Sequence, residues 1–331
     1  MAGIRDVARL AGVSPSTVSR VMNGTAHVEE DKKQKVLAAI QETGFKPNEL
    51  ARALFKQSSK IIGVIVPNIE NPFFNELAKA VEEEAYRNGY KILLCNSNNN
   101  TEKELLNIQM LGRMKADGVI IVTYSDETGL ALADCQIPVV VLDRQLTDSG
   151  EIAYVESDHY KGGQMAMEHL ITCGCKNIVC MRGPLNLSSG KRRYEGYQAA
   201  CRENHIQEQI IDCLYDYEAG LAAARELIRQ YPAVDGVIAS NDMVAIASYK
   251  ILSQAGYRIP EDVQIIGFDN IKLSWLFTPE LTTIIQSIDK MGTLAVQTII
   301  RYGEGLPFQK ENVFDVSLVE RQTTRRKEQQ E

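Results

Sequence analysis

The chain has 331 residues, 44% hydrophobic and 24% charged, with a formal net charge of −7. At ~100–200 residues per domain this length excludes a single small module, and the composition excludes a disordered, fibrous or membrane-embedded chain. The acidic balance argues at first against nucleic acid, but it is unevenly spread. Residues 1–60 hold ten Lys and Arg against six Asp and Glu, and the rest hold twenty-six against thirty-seven, so a +4 head is joined to a −11 body. Met1–Gly12 interleaves Arg5, Asp6 and Arg9 with its apolar residues, which predicts no secretory leader. Apolar runs such as Ile61–Val66 fall far short of the ~18–20 residues that span a bilayer. Seven cysteines without a C-x-x-C pair predict reduced thiols, no metal site and a cytoplasmic protein.

In chain order, Ile4, Val7, Ala8 and Ala11 share one face of a first helix that breaks at Gly12-Val13. Ser14 is a suitable N-cap and Pro15 a suitable first residue for a second helix, which turns Val18, Val21 and Met22 inward and ends near Asn23-Gly24. A third helix, Glu30–Thr43, is expected to bury Val36, Leu37 and Ile40. Phe45-Lys46-Pro47 then makes a joint to a short helical stretch, Asn48–Lys56, too short to be stable unpartnered.

From Lys60 onward, short β-branched runs alternate with amphipathic helical stretches, the pattern of βαβ units and parallel sheets. Strands are expected at Ile61–Val66, Lys91–Cys95, Gly118–Val122, Val139–Leu142, Asn177–Cys180, Gln209–Leu214, Gly236–Ala239 and Val263–Gly267. Helices are expected at Asn75–Asn88, Glu102–Met114, His159–Thr172, Arg193–Asn204, Ala219–Gln230, Met243–Ala255 and Lys290–Tyr302. About 270 residues of this pattern exceed one ordinary doubly wound sheet, so two similar α/β lobes are the simplest packing. The charged end, residues 324–331, lacks heptads and is expected to be a flexible tail.

Two short helices joined by a tight turn, the second polar and basic outside, match the layout of a helix-turn-helix. Asp6-Val7-Ala8, Ala11-Gly12-Val13-Ser14, Thr17-Val18-Ser19-Arg20-Val21 and Asn23 resemble the headpiece of the lactose-repressor (LacI/GalR) family. Val36, Gly44-Phe45, Pro47-Asn48 and Ala51-Arg52-Ala53-Leu54 resemble its third and hinge helices. The resemblance implies that Pro15, Ser16 and Arg20 read base edges in the major groove, where an arginine can bind guanine through two bonds. It implies that Thr17, Ser19, Asn23 and His27 hold phosphates or the groove edge, His27 being alternatively a turn residue without a special role. Leu54, flanked by Asn48, Ala51 and Arg52, matches the leucine that wedges into the minor groove.

Ligands of open α/β sheets bind beyond the carboxyl ends of strands. There the chain places Asn71-Pro72-Phe73-Phe74, Asp143-Arg144, Asn241-Asp242, Asp269-Asn270 and Gln286, with Arg193 opening a helix and Tyr215 beyond a strand. Planar amide, carboxylate and guanidinium groups span vicinal hydroxyls, aromatic faces cover a sugar ring, and the balanced charges suit a neutral ligand. Asp242 is expected to cap the helix that follows it.

Residues 60–323 resemble the periplasmic sugar-binding fold that the same family uses to sense effectors. Asn71, Phe73, Phe74, Asp143, Arg144, Arg193, Tyr215, Asn241, Asp269 and Gln286 resemble the ribose-contact set of the ribose-binding proteins, with Tyr215 where phenylalanine is usual. The fold class implied is α/β: a helical helix-turn-helix headpiece (1–46), a hinge and linker (47–59), and a two-lobed periplasmic-binding-protein-like domain with parallel sheets. Its N-lobe is expected at about 60–158 and 288–318, and its C-lobe at about 159–287 and 319–323. The resemblance implies a repressor that binds a near-palindromic double-stranded operator as a homodimer. D-ribose or a related sugar would control it, with no cofactor, no membrane and no catalysis.

A transport receptor would need a leader in place of the basic head. An enzyme would need a nucleophile elbow, a Walker motif or clustered histidines, none of which the chain shows. A protein co-effector in place of sugar is disfavoured by the intact sugar set.

Overall fold

A computed structural model of the protein describes residues 3–23, 27–45, 58–125, 127–133, 135–146 and 152–325. The chain divides into two units, residues 1–59 and 60–331. In the first, α1 (Ile4–Ala11) ends at Gly12, whose φ of 66° is the left-handed conformation that lets the chain turn at once. Before α2 (Pro15–Asn23), Ser14 Oγ accepts a hydrogen bond from Thr17 N at 3.2 Å, the expected cap. With α3 (Glu30–Thr43) these helices bury Val7, Ala8, Ala11, Val18, Val36 and Ala39, and Ile4, Val21, Met22 and Ile40 pack against them. Leu37, expected inside, is 46% exposed. Val36, Ala39 and Ile40 lie at the i, i+3, i+4 spacing of one helix face, and Leu37 falls about 100° around from Val36. The expected hinge helix, with Asn48, Ala51, Arg52 and Leu54, lies outside the described residues.

The second unit opens with β1 (Ile61–Val66), α4 (Pro72–Arg87), β2 (Lys91–Asn96), α5 (Thr101–Arg113), β3 (Gly118–Ile121), α6 (Thr128–Ala133), β4 (Val139–Leu142) and β5 (Ala153–Ser157). It continues with α7 (His159–Thr172), β6 (Ile178–Arg182), α8 (Ser188–Glu203), β7 (Ile210–Asp212), α9 (Tyr217–Gln230), β8 (Gly236–Ile238), α10 (Asp242–Gln254), β9 (Gln264–Asp269), α11 (Leu273–Leu276) and β10 (Thr282–Ile285). It closes with α12 (Ile288–Gly303), β11 (Glu311–Phe314) and β12 (Ser317–Val319).

Two sheets result, in the orders β2-β1-β3-β4-β5-β11 and β7-β6-β8-β9-β10-β12; every pairing is parallel except β10 with β12. The two lobes share one winding, and in each the order reverses beside the first strand. At that switch, loops leave in opposite directions and open a crevice. The chain passes between lobes after Ser157, after Ile285 and after Phe314. Because β12 belongs to the second sheet, the last passage precedes Ser317, earlier than the expected end of the N-lobe at residue 318. Thr324, expected in the tail, is buried and accepts or donates a hydrogen bond with His169 Nε2 at 2.8 Å.

Helices cover both faces of each sheet, so strands are apolar on both sides. In β1, Ile62, Val64 and Val66 pack toward α4 and α12, and Ile65 packs with Leu111 of α5. In the second lobe Leu227, Val237 and Val263 fill one face, and Met167, Tyr197 and Ile266 the other. The strands that sequence reading missed, β5, β10, β11 and β12, are three to five residues long. They sit at the lobe crossings and carry polar residues such as Glu156, Thr282 and Asn312, so they show no apolar run.

Candidate functional site

Nine of the ten expected residues lie together, and the tenth, Phe73, packs into the apolar core of the first lobe beside Phe74. Asn71 caps α4, its Oδ1 accepting from Phe73 N at 3.1 Å, while its Nδ2 lies 3.5 Å from the carbonyl oxygen of Tyr215 in the other lobe. Asn241 caps α10 in the same way, Oδ1 accepting from Val244 N at 2.9 Å, and its Nδ2 donates to the same Tyr215 oxygen at 3.0 Å. Two helix caps, one from each lobe, thus meet at one carbonyl. Phe73 and Phe74 sit edge to face with ring centroids 5.3 Å apart. Tyr124, Leu187 and Tyr215 join Asn71, Phe74 and Arg144 around a narrow gap between the lobes.

Charged groups lie deeper. Arg193 stacks on Phe268 at 3.7 Å, donates through Nη1 to Ser240 O at 2.7 Å and through Nε to His159 Nδ1 at 3.3 Å, and places Nη2 3.4 Å from Asp269 Oδ1. Gln286 Nε2 donates to the same carboxylate at 2.7 Å, and Arg144 donates to Thr123 O. Asp143 and Asp269, at the ends of β4 and β9, have φ values of 65° and 113°. A residue with a side chain adopts that region only at a cost, one that concentrates at functional sites. Asp143 Oδ1, Arg144 Nε and Gln286 Oε1 are buried and have no hydrogen-bond partner in the protein, as do the hydroxyls of Ser189, Tyr215 and Ser240. Buried polar atoms are nearly always paired, so such a cluster in one cleft suits a ligand bearing many hydroxyls.

Burial, reinforced by the Arg193 cation, pushes the His159 imidazole down to about 4, so the ring is neutral. Nδ1 accepts from Arg193 and Nε2–H is left to donate to Asp143 O at 3.0 Å. Burial also raises Asp269 to about 7, Arg193 opposing the rise and Asp143 adding to it. Glu156 rises to about 7 through burial and the Asp143 carboxylate. Two carboxylates and two guanidiniums in the cleft leave it balanced for a neutral ligand.

Sequence reading placed Arg193 at the start of its helix, but α8 begins at Ser188 and Arg193 is a full turn inside it. Likewise α4 begins at Pro72, so Phe73 and Phe74 occupy its first turn. Asp242 is not a cap: Asn241 holds that role, and Asp242 is fully buried, accepting from Ile271 N at 2.9 Å and Thr283 Oγ1 at 2.6 Å. Gly267 makes room for it, since a Cβ there would lie 2.2 Å from Asp242 Oδ1. Sequence reading also missed His159 as part of the site; its place directly after a lobe crossing is the signal that could have found it.

In the headpiece, Pro15, Ser16 and Arg20 of α2 are exposed, Thr17 and Ser19 are half-buried, and His27 is exposed beyond it. Ser14 Oγ lies 2.7 Å from Ser16 Oγ and 2.9 Å from Thr17 Oγ1, joining the start of the helix into one hydroxyl chain. Asn23 ends α2, and its side chain lies outside the described set. Lys32 and Lys33 pair with Glu29 at 2.8 Å and Glu30 at 3.4 Å, so both already have anionic partners.

Residues 3–48 match the family model for bacterial regulatory proteins of the lacI family, and residues 59–309 that for periplasmic binding proteins and the sugar binding domain of the LacI family. The chain is 37% identical to the ribose operon repressor of Halalkalibacterium halodurans over 330 residues, 98% of each protein. It is 35% identical to the HTH-type transcriptional repressor PurR of Haemophilus influenzae over 306 residues, 91% of this chain and 90% of that one. A crystal structure of a LacI family transcriptional regulator from Enterococcus faecium with bound ribose is 30% identical, with a TM-score of 0.72, over 81% of this chain and 100% of that one. The chain belongs to the LacI family: it is a DNA-binding repressor with a sugar-binding domain.

Proposed function

We propose that the protein represses transcription from a near-palindromic operator as a homodimer, and that D-ribose, or a pentose close to it, bound between the lobes controls operator affinity. The observation that supports this reading best is the cleft itself, with planar amide, carboxylate and guanidinium groups from both lobes around unpartnered buried polar atoms, and a Phe73-Phe74 pair beside them. In this reading Asn71, Asp143, Arg144, Arg193, Asn241, Asp269 and Gln286 take the sugar hydroxyls, and Phe73, Phe74 and Tyr215 cover its C–H faces. Pro15, Ser16 and Arg20 read bases, and Thr17, Ser19, Asn23 and His27 fix the register on the backbone. Asn48, Ala51, Arg52 and Leu54 form the minor-groove element.

Sugar closing the lobes moves the first lobe, and with it the segment joining body to head, so the two hinges of a dimer no longer pair. Such an effector shifts the equilibrium only by its differential affinity for the two states, commonly ~1–3 kcal/mol. The relatives that name ribose support this effector. PurR, 35% identical, carries no sugar in its name, so identity of this order does not fix the ligand. A gel shift on the operator, titrated with pentoses and hexoses, tests the reading. Release by D-ribose at concentrations where hexoses do nothing is expected, and release by a hexose alone would replace the effector.

A further inference from the structure

The hydroxyl of Tyr215 makes no hydrogen bond of good geometry within the protein. It is buried, without a hydrogen-bond partner, and lies against two glycines. A Cβ on Gly183 would come within 2.7 Å of the phenol oxygen, and one on Gly190 within 3.0 Å. Both glycines have negative φ; Gly183 leaves space for the tyrosine tip, while at Gly190 the backbone oxygen of Pro184, 2.3 Å from where a Cβ would stand, is the nearer neighbour. Ser189, directly before Gly190, stands in the first turn of α8; its hydroxyl is also buried and lies close to the phenol without a hydrogen bond of good geometry. Ser240, two residues past the end of β8, contributes a further buried and unpartnered hydroxyl, and it lines with Tyr215, Gly183, Gly190 and Arg193 a small cavity.

We propose that Tyr215 Oη, with the Ser189 and Ser240 hydroxyls beside it, forms a specificity subsite in the second lobe that hydrogen-bonds one hydroxyl of the effector and rejects the analogue lacking it. The inference rests on the reading of the cleft as a sugar site. A phenylalanine would fill the same volume without an orphaned hydroxyl, so the tyrosine gains only if a ligand meets it. Burial raises the Tyr215 phenol above its ordinary value, so it stays protonated and can donate. Both serines can donate and accept, and a sugar hydroxyl does the same, so one such group can close bonds with the phenol and a neighbouring serine together. Sites built to hydrogen-bond a hydroxyl discriminate strongly against its absence, because the binding groups are then left unpaired in a dry pocket.

The test is calorimetric titration of the full-length protein and its Tyr215→Phe variant with D-ribose, D-xylose, D-arabinose, D-xylulose and the deoxy analogues of the sugar that binds best. The variant is expected to bind that sugar about tenfold more weakly, the scale of one hydrogen bond in a desolvated site. One deoxy analogue should bind both proteins equally, and it identifies the hydroxyl. Ser189→Ala should weaken the same sugar in the same direction and leave the same analogue unaffected. Tyr215→Phe binding every sugar with unchanged affinity and rank would overturn the subsite while leaving the sugar reading intact. Wild-type protein that binds none of the sugars would instead overturn the reading on which the subsite rests. Cooperative urea unfolding with the wild-type midpoint and slope shows that both variants are folded.

Discussion

Gln145 N, on one lobe, donates to Ser188 Oγ, on the other, at 2.8 Å. Gln145 is itself anchored from behind, its Nε2 donating to Glu156 Oε1 at 2.6 Å. A backbone donor held in this way forms a clasp at the lip of the cleft, separate from the residues assigned to the sugar. Ser188→Ala should leave the sugar contacts intact and destabilise only the closed form, weakening sugar binding about two- to tenfold, the range of one net hydrogen bond. The loss should fall mainly on the dissociation rate, measured by stopped-flow displacement. Unchanged dissociation would show that the bond forms no part of closure.

Arg20 is exposed on α2, one turn beyond Ser16. If it binds a guanine edge through two bonds, Arg20→Ala should cost about 1–3 kcal/mol in operator affinity and relax preference at a single base pair. Binding to a set of operators, each altered at one position, separates this from a phosphate contact, whose loss weakens all sequences alike and lowers the salt dependence.

How much of this was legible in the sequence follows from where each signal sits. The headpiece could be read because its cap, turn glycine and apolar spacing are local, and the neighbourhood of Asp143, Arg144, Asn241, Asp269 and Gln286 because strand ends gather on one side in this kind of sheet. Asp242 was misread for a physical reason: Asn241 and Asp242 are both good caps, and only the fold shows that the first takes the role while the second turns under the sheet. The Gln145–Ser188 clasp and the Ser189–Tyr215–Ser240 cluster join residues far apart in the chain, so no spacing announces them.

Asp242 carries the next expectation. Its carboxyl group, which burial and then the nearby Asp269 push well above the usual carboxylate range, ties Ile271 N and Thr283 Oγ1 behind the strained pair Asp269 and Asn270, whose φ values are 113° and 58°. Arg321 holds the same loop from the other side, donating to Asn270 Oδ1 at 2.6 Å. Asp242→Ala removes two buried hydrogen bonds and leaves a backbone N–H unpaired, which should cost about 2–4 kcal/mol of stability in denaturant unfolding. It should also weaken sugar binding, because Asp269 loses its support. Asp242→Asn keeps the acceptor for Ile271 and should recover most of the stability. Equal losses in the two variants would show that the bond to Ile271 N contributes little.

The raised carboxylates give a pH dependence whose sign can be worked out. Burial holds Asp269 and Glu156 at about 7 in the fold, against about 4 in an unfolded chain, and raises Asp242 as well. Between those values the folded state holds more protons, so their contribution to stability falls as pH rises from about 4 to about 7. Glu156→Gln should flatten part of that slope, measured by urea unfolding across the window. In the proposed sugar complex, hydroxyl donors reaching the Asp269 carboxylate favour its charged form and draw its pKa down. Sugar binding near pH 7 should therefore release protons, and the calorimetric enthalpy should change with the ionisation enthalpy of the buffer. An enthalpy that is the same in phosphate and in Tris across this range would show that Asp269 gains no donor from the ligand, and its assignment to the sugar site would fall.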